Sequence, residues 1–207
     1  MKIFKYDMRL NTLFKKGLPK IDDRFGVYFV TGRQGSGKSY YGVYLLTRQN
    51  PKLLNKVYTN MHSLKVPDLN IEYFDNIEEL YTNTEEYCIF LVDEISRKYD
   101  RNSRTDTQFY AWMNQSRKRK RIVILITQEW RELPMWIRRP AKFMISTRPT
   151  KLLNYFGVFT SIVGDAENMV FNKDEGEYEC PPISYIYYKR NKKIAEMYDT
   201  FEAINQL

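Results

Sequence analysis

Val27-Tyr28-Phe29-Val30-Thr31, followed by Gly32-Arg33-Gln34-Gly35-Ser36-Gly37-Lys38-Ser39, is the stretch on which the reading of this chain turns. The first five residues are a short, β-rich apolar run. The next eight satisfy G-x-x-x-x-G-K-[ST]. Beyond them, Tyr40 to Gln49 carries Tyr41, Tyr44 and Leu45 at helical spacing, so a strand, a glycine-rich turn and a helix N-terminus follow in that order. Such a turn is an anion cradle. Its glycines let successive backbone N–H groups point inward, and the helix N-terminus adds partial positive charge.

The cradle predicts a nucleotide phosphate ligand, ATP with Mg²⁺. Gly32, Gln34, Gly35, Ser36, Gly37 and Tyr40 are the expected nucleotide contacts. Lys38 supplies a point charge to the β- and γ-phosphates, and the Ser39 hydroxyl fills one coordination position on Mg²⁺. A second constellation, Cys88-Ile89-Phe90-Leu91-Val92-Asp93-Glu94, is an apolar strand delivering two carboxylates at its C-terminal edge, which in a parallel sheet faces the ligand crevice. Asp93 is expected to orient a water on Mg²⁺, and Glu94 to act as general base on the attacking water. Thr127 and Gln128 end another apolar run, Ile122 to Ile126, where polar side chains can meet the γ-phosphate or the water.

Working outward, Val57 to Thr59 reads as a strand, Ile77 to Tyr81 as a short helix, and Thr105 to Lys118 as a helix with Phe109, Trp112 and Met113 on one face. Pro51 reads as the stop of the first helix. A short helix over Pro134 to Arg138 and a strand over Phe143 to Ser146 follow. Alternating strands and helices imply a parallel sheet covered on both faces. After Pro149 the pattern changes to a hairpin, Met169 to Asn172 against Glu177 to Cys180, a strand through Tyr185 to Tyr188 and a helix over Ile194 to Ile204. The expected fold class is thus α/β: a P-loop NTPase with a mostly parallel central sheet flanked by helices, residues 1–149 forming the core and 150–207 a small C-terminal hairpin and helix subdomain.

Composition narrows the partners. No apolar run approaches the ~20 residues that span a bilayer, and Met1 to Leu10 interleave charges with apolar residues, unlike a secretory signal. With only Cys88 and Cys180, a disulfide framework is not expected, and a reducing cytoplasm fits. The net charge of +8 points to an anionic partner. Arg117 to Arg121 are contiguous cations, and Lys189, Arg190, Lys192 and Lys193 form a second cluster. Each reads either as a phosphate-backbone contact or as a solvated face.

These residues resemble the FtsK/HerA-type branch of the additional-strand, catalytic-glutamate P-loop ATPases, most closely the genome-packaging ATPases of small tailed phages and the zonula-occludens-toxin-like phage assembly ATPases. The resemblance rests on Gly32 to Ser39, an extra strand ending Tyr58-Thr59-Asn60, Val92-Asp93-Glu94, the basic stretch Arg117 to Arg121, and Ile124-Leu125-Ile126-Thr127-Gln128. It implies a motor that hydrolyses ATP in a homo-oligomeric ring of five or six subunits and threads double-stranded DNA into a preformed capsid. Such a motor acts at a portal or adaptor, in the host cytoplasm and transiently at a capsid vertex, without a membrane. It further implies that Arg117 or Arg119 reaches a neighbouring subunit's nucleotide, that Asn60 holds Glu94 away from water until DNA is sensed, and that Thr127 and Gln128 are the sensor. The stretch after Pro149 is too short for the nuclease-like domain some packaging ATPases carry. A filamentous-phage extrusion or conjugative DNA-transfer ATPase is the alternative within this branch, and a small-molecule kinase or nucleotide switch the alternative outside it.

Overall fold

A computed structural model describes residues 25–49, 54, 56–148 and 158–199. An eight-stranded sheet runs through it in the order β10-β7-β6-β1-β5-β4-β2-β3. The strands are β1 (Gly26–Thr31), β2 (Lys56–Thr59), β3 (Asn70–Tyr73), β4 (Cys88–Val92), β5 (Ile122–Thr127), β6 (Ala141–Arg148), β7 (Val158–Asp165) and β10 (Pro182–Lys189). From β6 to β3 every neighbouring pair is parallel, while β7 lies antiparallel between β6 and β10. The C-terminal residues therefore extend the same sheet. Only the hairpin β8 (Val170–Asn172) and β9 (Glu177–Glu179) forms a sheet of its own.

The central strands are buried along their whole length because both faces are covered. Alternation sends Tyr28, Val30, Ile89, Leu91, Ile124 and Ile126 to one face, where they meet helix α1 (Lys38–Thr47). Val27, Phe29, Phe90, Val92, Val123 and Leu125 go to the other face, against Phe109, Trp112 and Met113 of helix α2 (Thr107–Asn114). Helix α1 approaches the sheet through Gly42, where a β-carbon would stand 2.9 Å from Ile126 Cδ1 and 3.0 Å from Leu91 Cδ1.

Several expected elements shift. The strand between β1 and β4 is β5; β2, read as the extra strand, lies on the far side of β4. Chain order alone does not fix that lateral order. Helix α2 begins at Thr107 because the Asp106 carboxylate accepts the N–H groups of Gln108 and Phe109. It ends at Asn114 rather than Lys118, ahead of five consecutive cations whose mutual repulsion disfavours further turns. Ile77–Leu80 is a 3₁₀ turn. Helix α3 is short (Met135–Arg138), and α4 (Lys192–Ala195) begins two residues before the helix expected over 194–204, whose last five residues lie outside those described. The signals at Pro51 and Pro149, and the reading of the first ten residues, also fall outside. β3 and β7 were not expected: Asn70-Ile71-Glu72-Tyr73 is largely exposed, and Val158 to Asp165 carries Thr160, Ser161 and Gly164.

The basic stretch before β5 divides. Arg121 is fully buried, its Nε donating to the Glu85 carbonyl at 2.6 Å and its Nη2 to the Asn83 carbonyl at 2.7 Å. The guanidinium lies over the rings of Phe90 and Trp112. Lys120 donates to the Tyr87 hydroxyl at 2.7 Å and Arg119 to Gln115 Oε1 at 3.0 Å, whereas Arg117 and Lys118 are exposed. Arg121 thus ties residues 83–85 to the start of β4 and β5, and Arg121→Ala, which strands both carbonyls, should lower unfolding stability by about 2–4 kcal/mol in urea titrations. A loss below about 0.5 kcal/mol would show that the tether is not structural.

Candidate active site

The phosphate loop is pinned from two sides. The Gln128 carbonyl at the end of β5 accepts the Gly32 N–H at 3.2 Å and the Thr31 hydroxyl at 3.1 Å. From β6, the Thr147 hydroxyl donates to the Thr31 carbonyl at 3.1 Å and lies 2.7 Å from Ser36 Oγ. Gly32 is required here on two counts. Its φ of 149° is disfavoured for side chains, and a β-carbon would stand 2.5 Å from Thr147 Oγ1 and 2.6 Å from Ser36 Oγ. Gly37, at φ 88°, caps α1 and starts its hydrogen-bond ladder by accepting the Tyr41 N–H at 2.9 Å.

Lys38 and Ser39 open α1 beside the end of β4. Lys38 Nζ donates to the Arg33 carbonyl at 3.3 Å across the loop. Burial lowers the pKa of its ammonium from the ordinary value, against the attraction of Asp93 and Glu94. Ser39 Oγ donates to Asp93 Oδ2 at 2.8 Å. Burial raises the Asp93 carboxyl above its ordinary value, offset in part by the Ser39 hydrogen bond, with the Glu94 charge adding to the rise. Two hard oxygens side by side suit Mg²⁺, which keeps waters and phosphate oxygens as its remaining ligands. No cluster of three or more His, Cys, Asp or Glu able to hold a metal occurs among the described residues.

Asn60, at the end of β2, binds the Asp93 backbone twice: Nδ2 donates to the Asp93 carbonyl at 2.9 Å, and Oδ1 accepts the Asp93 N–H at 2.8 Å. The expected restraint of Glu94 by Asn60 is therefore corrected, since both ends of the amide are occupied one residue earlier. Glu94 instead sits in the left-handed region, φ 53° and ψ 46°, and its carboxylate forms an ion pair with Arg97 Nε. Arg97 was not singled out in the sequence, although its i,i+3 spacing from Glu94 within a turn was a usable signal.

The other expected residues fall as follows. Thr127 is buried, its hydroxyl 3.5 Å from the Glu129 carbonyl, and the Gln128 side chain is exposed beside the loop. The Tyr40 side chain packs away from the loop: its ring lies 5.3 Å from Phe159, and its hydroxyl accepts the Asn191 N–H at 2.7 Å, which leaves its backbone N–H in the first turn of α1 as the group for the expected nucleotide contact. That side chain belongs to the C-terminal strands. Arg117 and Arg119 lie at the opposite edge of the sheet, since the Arg121 carbonyl accepts the N–H of Gly26 at the start of β1. The length of β1 separates that edge from the cradle by roughly 17 Å. Thr147 is the second functional side chain missed, though it ends an apolar strand as Thr127 does.

A glycine cradle, a buried Ser-Asp pair and an adjacent carboxylate at the C-terminal edge of a parallel sheet define a P-loop ATPase. Residues 28–149 match the model of the ATPase family associated with various cellular activities (AAA), and the chain belongs to that family. Among solved structures it is similar to the N-terminal domain of zonular occludens toxin from Neisseria meningitidis (18% identity, 84% of this chain and 98% of that one, TM-score 0.58). It is also similar to the genome packaging NTPase B204 of Sulfolobus turreted icosahedral virus 2 with ATP-gammaS (12%, 76% and 98%, TM-score 0.51). The flagellar accessory protein FlaH of Methanocaldococcus jannaschii is a third (14%, 91% and 92%, TM-score 0.51). At these identities the likeness is one of fold, which agrees with the resemblance seen in the motifs. No curated protein matches by sequence.

Two outcomes follow from this geometry. Asp93→Asn should stabilise the nucleotide-free protein by about 1 kcal/mol near neutral pH. Because the folded-state pKa of Asp93 is raised, ionisation opposes folding above that pKa, and the gain should vanish as the pH falls through the ordinary carboxylate range. Urea unfolding of both proteins across pH measures this; a gain that grows on acidification would reverse the sign. Separately, Lys38→Ala should abolish nucleotide binding, while Glu94→Gln should retain binding and lose at least about a hundredfold in hydrolysis. Near-normal turnover by Glu94→Gln would remove Glu94 as the base.

Proposed function

We propose that this ATPase is the subunit of a homo-oligomeric ring of five or six copies that drives double-stranded DNA into a preformed viral capsid. The ring acts in the host cytoplasm and docks transiently, through a portal or adaptor, at a capsid vertex. The observation that carries this reading is the opposition of the two sheet edges. The nucleotide cradle occupies one, and the exposed cation Arg117 the other, out of reach of its own cradle. A cation so placed can complete a neighbour's site, as an arginine finger does. The net charge of +8 and the fold likeness to a genome packaging NTPase lend support to a DNA substrate.

In this reading Lys38 and the loop N–H groups hold the β- and γ-phosphates. Ser39 and, through water, Asp93 would hold Mg²⁺, which would supply charge neutralisation to the phosphates. Glu94 leaves Arg97, takes a proton from water as the water oxygen bonds to the γ-phosphorus, and the β–γ bridging bond breaks toward ADP. Arg117 from the adjacent subunit meets the charge that develops on the transferred phosphoryl oxygens.

A second reading, filamentous-phage assembly or conjugative DNA transfer, draws on the higher TM-score of the zonular occludens toxin domain. Negative-stain images with ATP analogue and empty capsids separate the two, since only the packaging motor should form a ring docked at one vertex. The shared core of both readings is tested by mixing. Arg117→Ala and Glu94→Gln subunits should each be inactive alone yet recover hydrolysis together, because an intact Arg117 then faces an intact Glu94 across one interface. Mixed rings that stay inactive would rule out Arg117 in trans; the same test then passes to Arg119.

A further inference from the structure

Residues 189–199 form a strap across helix α1. Because β7 is antiparallel to both β6 and β10, strand β10 runs in the same direction as β1. Its end, Lys189, therefore emerges at the sheet edge that carries the phosphate loop. From there the chain passes Asn191, buries Ile194 in the core cluster that includes Tyr40, Tyr41 and Val43 of α1, and continues through α4. It is fastened again at the far side of the sheet, where the Met197 carbonyl accepts the Lys65 N–H at 2.7 Å and the Asp199 N–H donates to Ser63 Oγ at 2.9 Å.

The strap has two notable properties. It carries Lys189, Arg190, Lys192 and Lys193, all exposed, and among them only Lys192 has a recorded carboxylate partner, Glu196 at 3.7 Å. It is also bolted to the nucleotide site. Tyr40 directly follows Ser39, and its hydroxyl accepts the Asn191 N–H at 2.7 Å from a ring packed against those of Phe159 and Tyr188. Asn191 Oδ1 in turn accepts the Lys193 N–H at 2.9 Å, so the Tyr40 bond fixes the turn that presents the cations.

We infer that this strap is a contact surface for the phosphate backbone of duplex DNA, and that Tyr40 links its position to the state of the phosphate loop. The inference rests on the DNA-motor reading above. Four cations within five residues match a polymer carrying about one negative charge per 1.7 Å of axis, and they read no sequence because they touch backbone. Movement of the first turn of α1 as phosphate enters or leaves the cradle reaches Asn191 through one side chain.

The test uses the full chain and a duplex of fixed sequence, with binding isotherms over a salt series. Lys189→Gln, Arg190→Gln and Lys193→Gln together should reduce the steepness of log K against log salt by about two to three, while nucleotide titrations stay unchanged. A matched control neutralising three exposed cations elsewhere, Arg104, Arg139 and Lys173, should leave the slope within about one of wild type. An unchanged slope in the strap variant, or equal losses in both variants, overturns the strap as a contact while leaving the DNA-motor reading intact. Wild-type protein that shows no salt-dependent duplex binding defeats that reading first. If the strap variant instead loses binding to phosphatidylserine vesicles that the wild type binds without binding duplex, the surface faces a membrane and the inference fails. Tyr40→Phe keeps the ring and removes the hydroxyl: the ratio of hydrolysis with and without duplex should fall toward one while nucleotide-free duplex affinity holds within about twofold. An unchanged ratio removes the link.

Discussion

One buried residue, Asp93, joins the ends of three structural units. Asp93 accepts the hydroxyl of Ser39 at the start of α1, and its own backbone is clamped from both sides by the amide of Asn60 at the end of β2. The side chain thus fastens α1 to β4, and the main chain fastens β2 to β4. The position is unfavourable for an isolated folded chain, because burial disfavours the ionised form and no cation among the described residues forms an ion pair with it. In the proposed mechanism a divalent ion arriving with phosphate would relieve that burial with its charge. Stability given up locally in the nucleotide-free protein would then be regained on binding.

The residue after it follows the same pattern. Glu94 takes a left-handed backbone, which a non-glycine residue enters at a cost of order 1 kcal/mol, and its N–H reaches back to Asp93 Oδ1 at 2.9 Å. That turn swings the Glu94 carboxylate onto Arg97 rather than leaving it on the line of β4. A carboxylate engaged by a guanidinium cannot turn the same oxygen to a water until the pair opens. Asn60 and Arg97 thus divide a task that the resemblance assigned to Asn60 alone: one fixes the Asp93 main chain, the other holds the Glu94 carboxylate.

How much of this was legible in the sequence depends on whether the signal was local. The phosphate loop could be read because its spacing, its preceding strand and its following helix are contiguous, and β4 and β5 because central strands buried on both faces are unbroken apolar runs. The two-faced α/β sheet followed from alternation of elements. Lateral strand order did not, since β5 enters between β1 and β4 only through long-range pairing. Edge strands were missed where half-exposure dilutes the pattern, as in β3 and β7. The stretch Arg117 to Arg121 reads as uniform charge, yet Arg121 is buried and tied to main-chain carbonyls while Arg117 is exposed. Composition cannot distinguish two arginines four residues apart. Thr147 and Tyr40 owe their partners to β6 and to the turn after β10, more than a hundred residues away from the groups they touch.

The parallel sheet also fixes what one subunit can do alone. The expected nucleotide groups, from Gly32 and Lys38 through Asp93 and Glu94 to Gln128, sit where β1, β4 and β5 end. Those strands begin at the opposite edge, where Arg117 stands, and a β-strand is too stiff to bring its two ends together. No rearrangement within the fold therefore carries Arg117 to its own cradle, and any catalytic use of it has to pass through a second copy of the chain. In the proposed ring the same rigidity becomes useful. A sheet that holds its two edges at constant separation transmits displacement at one nucleotide to the arginine presented to the next, without needing a separate lever.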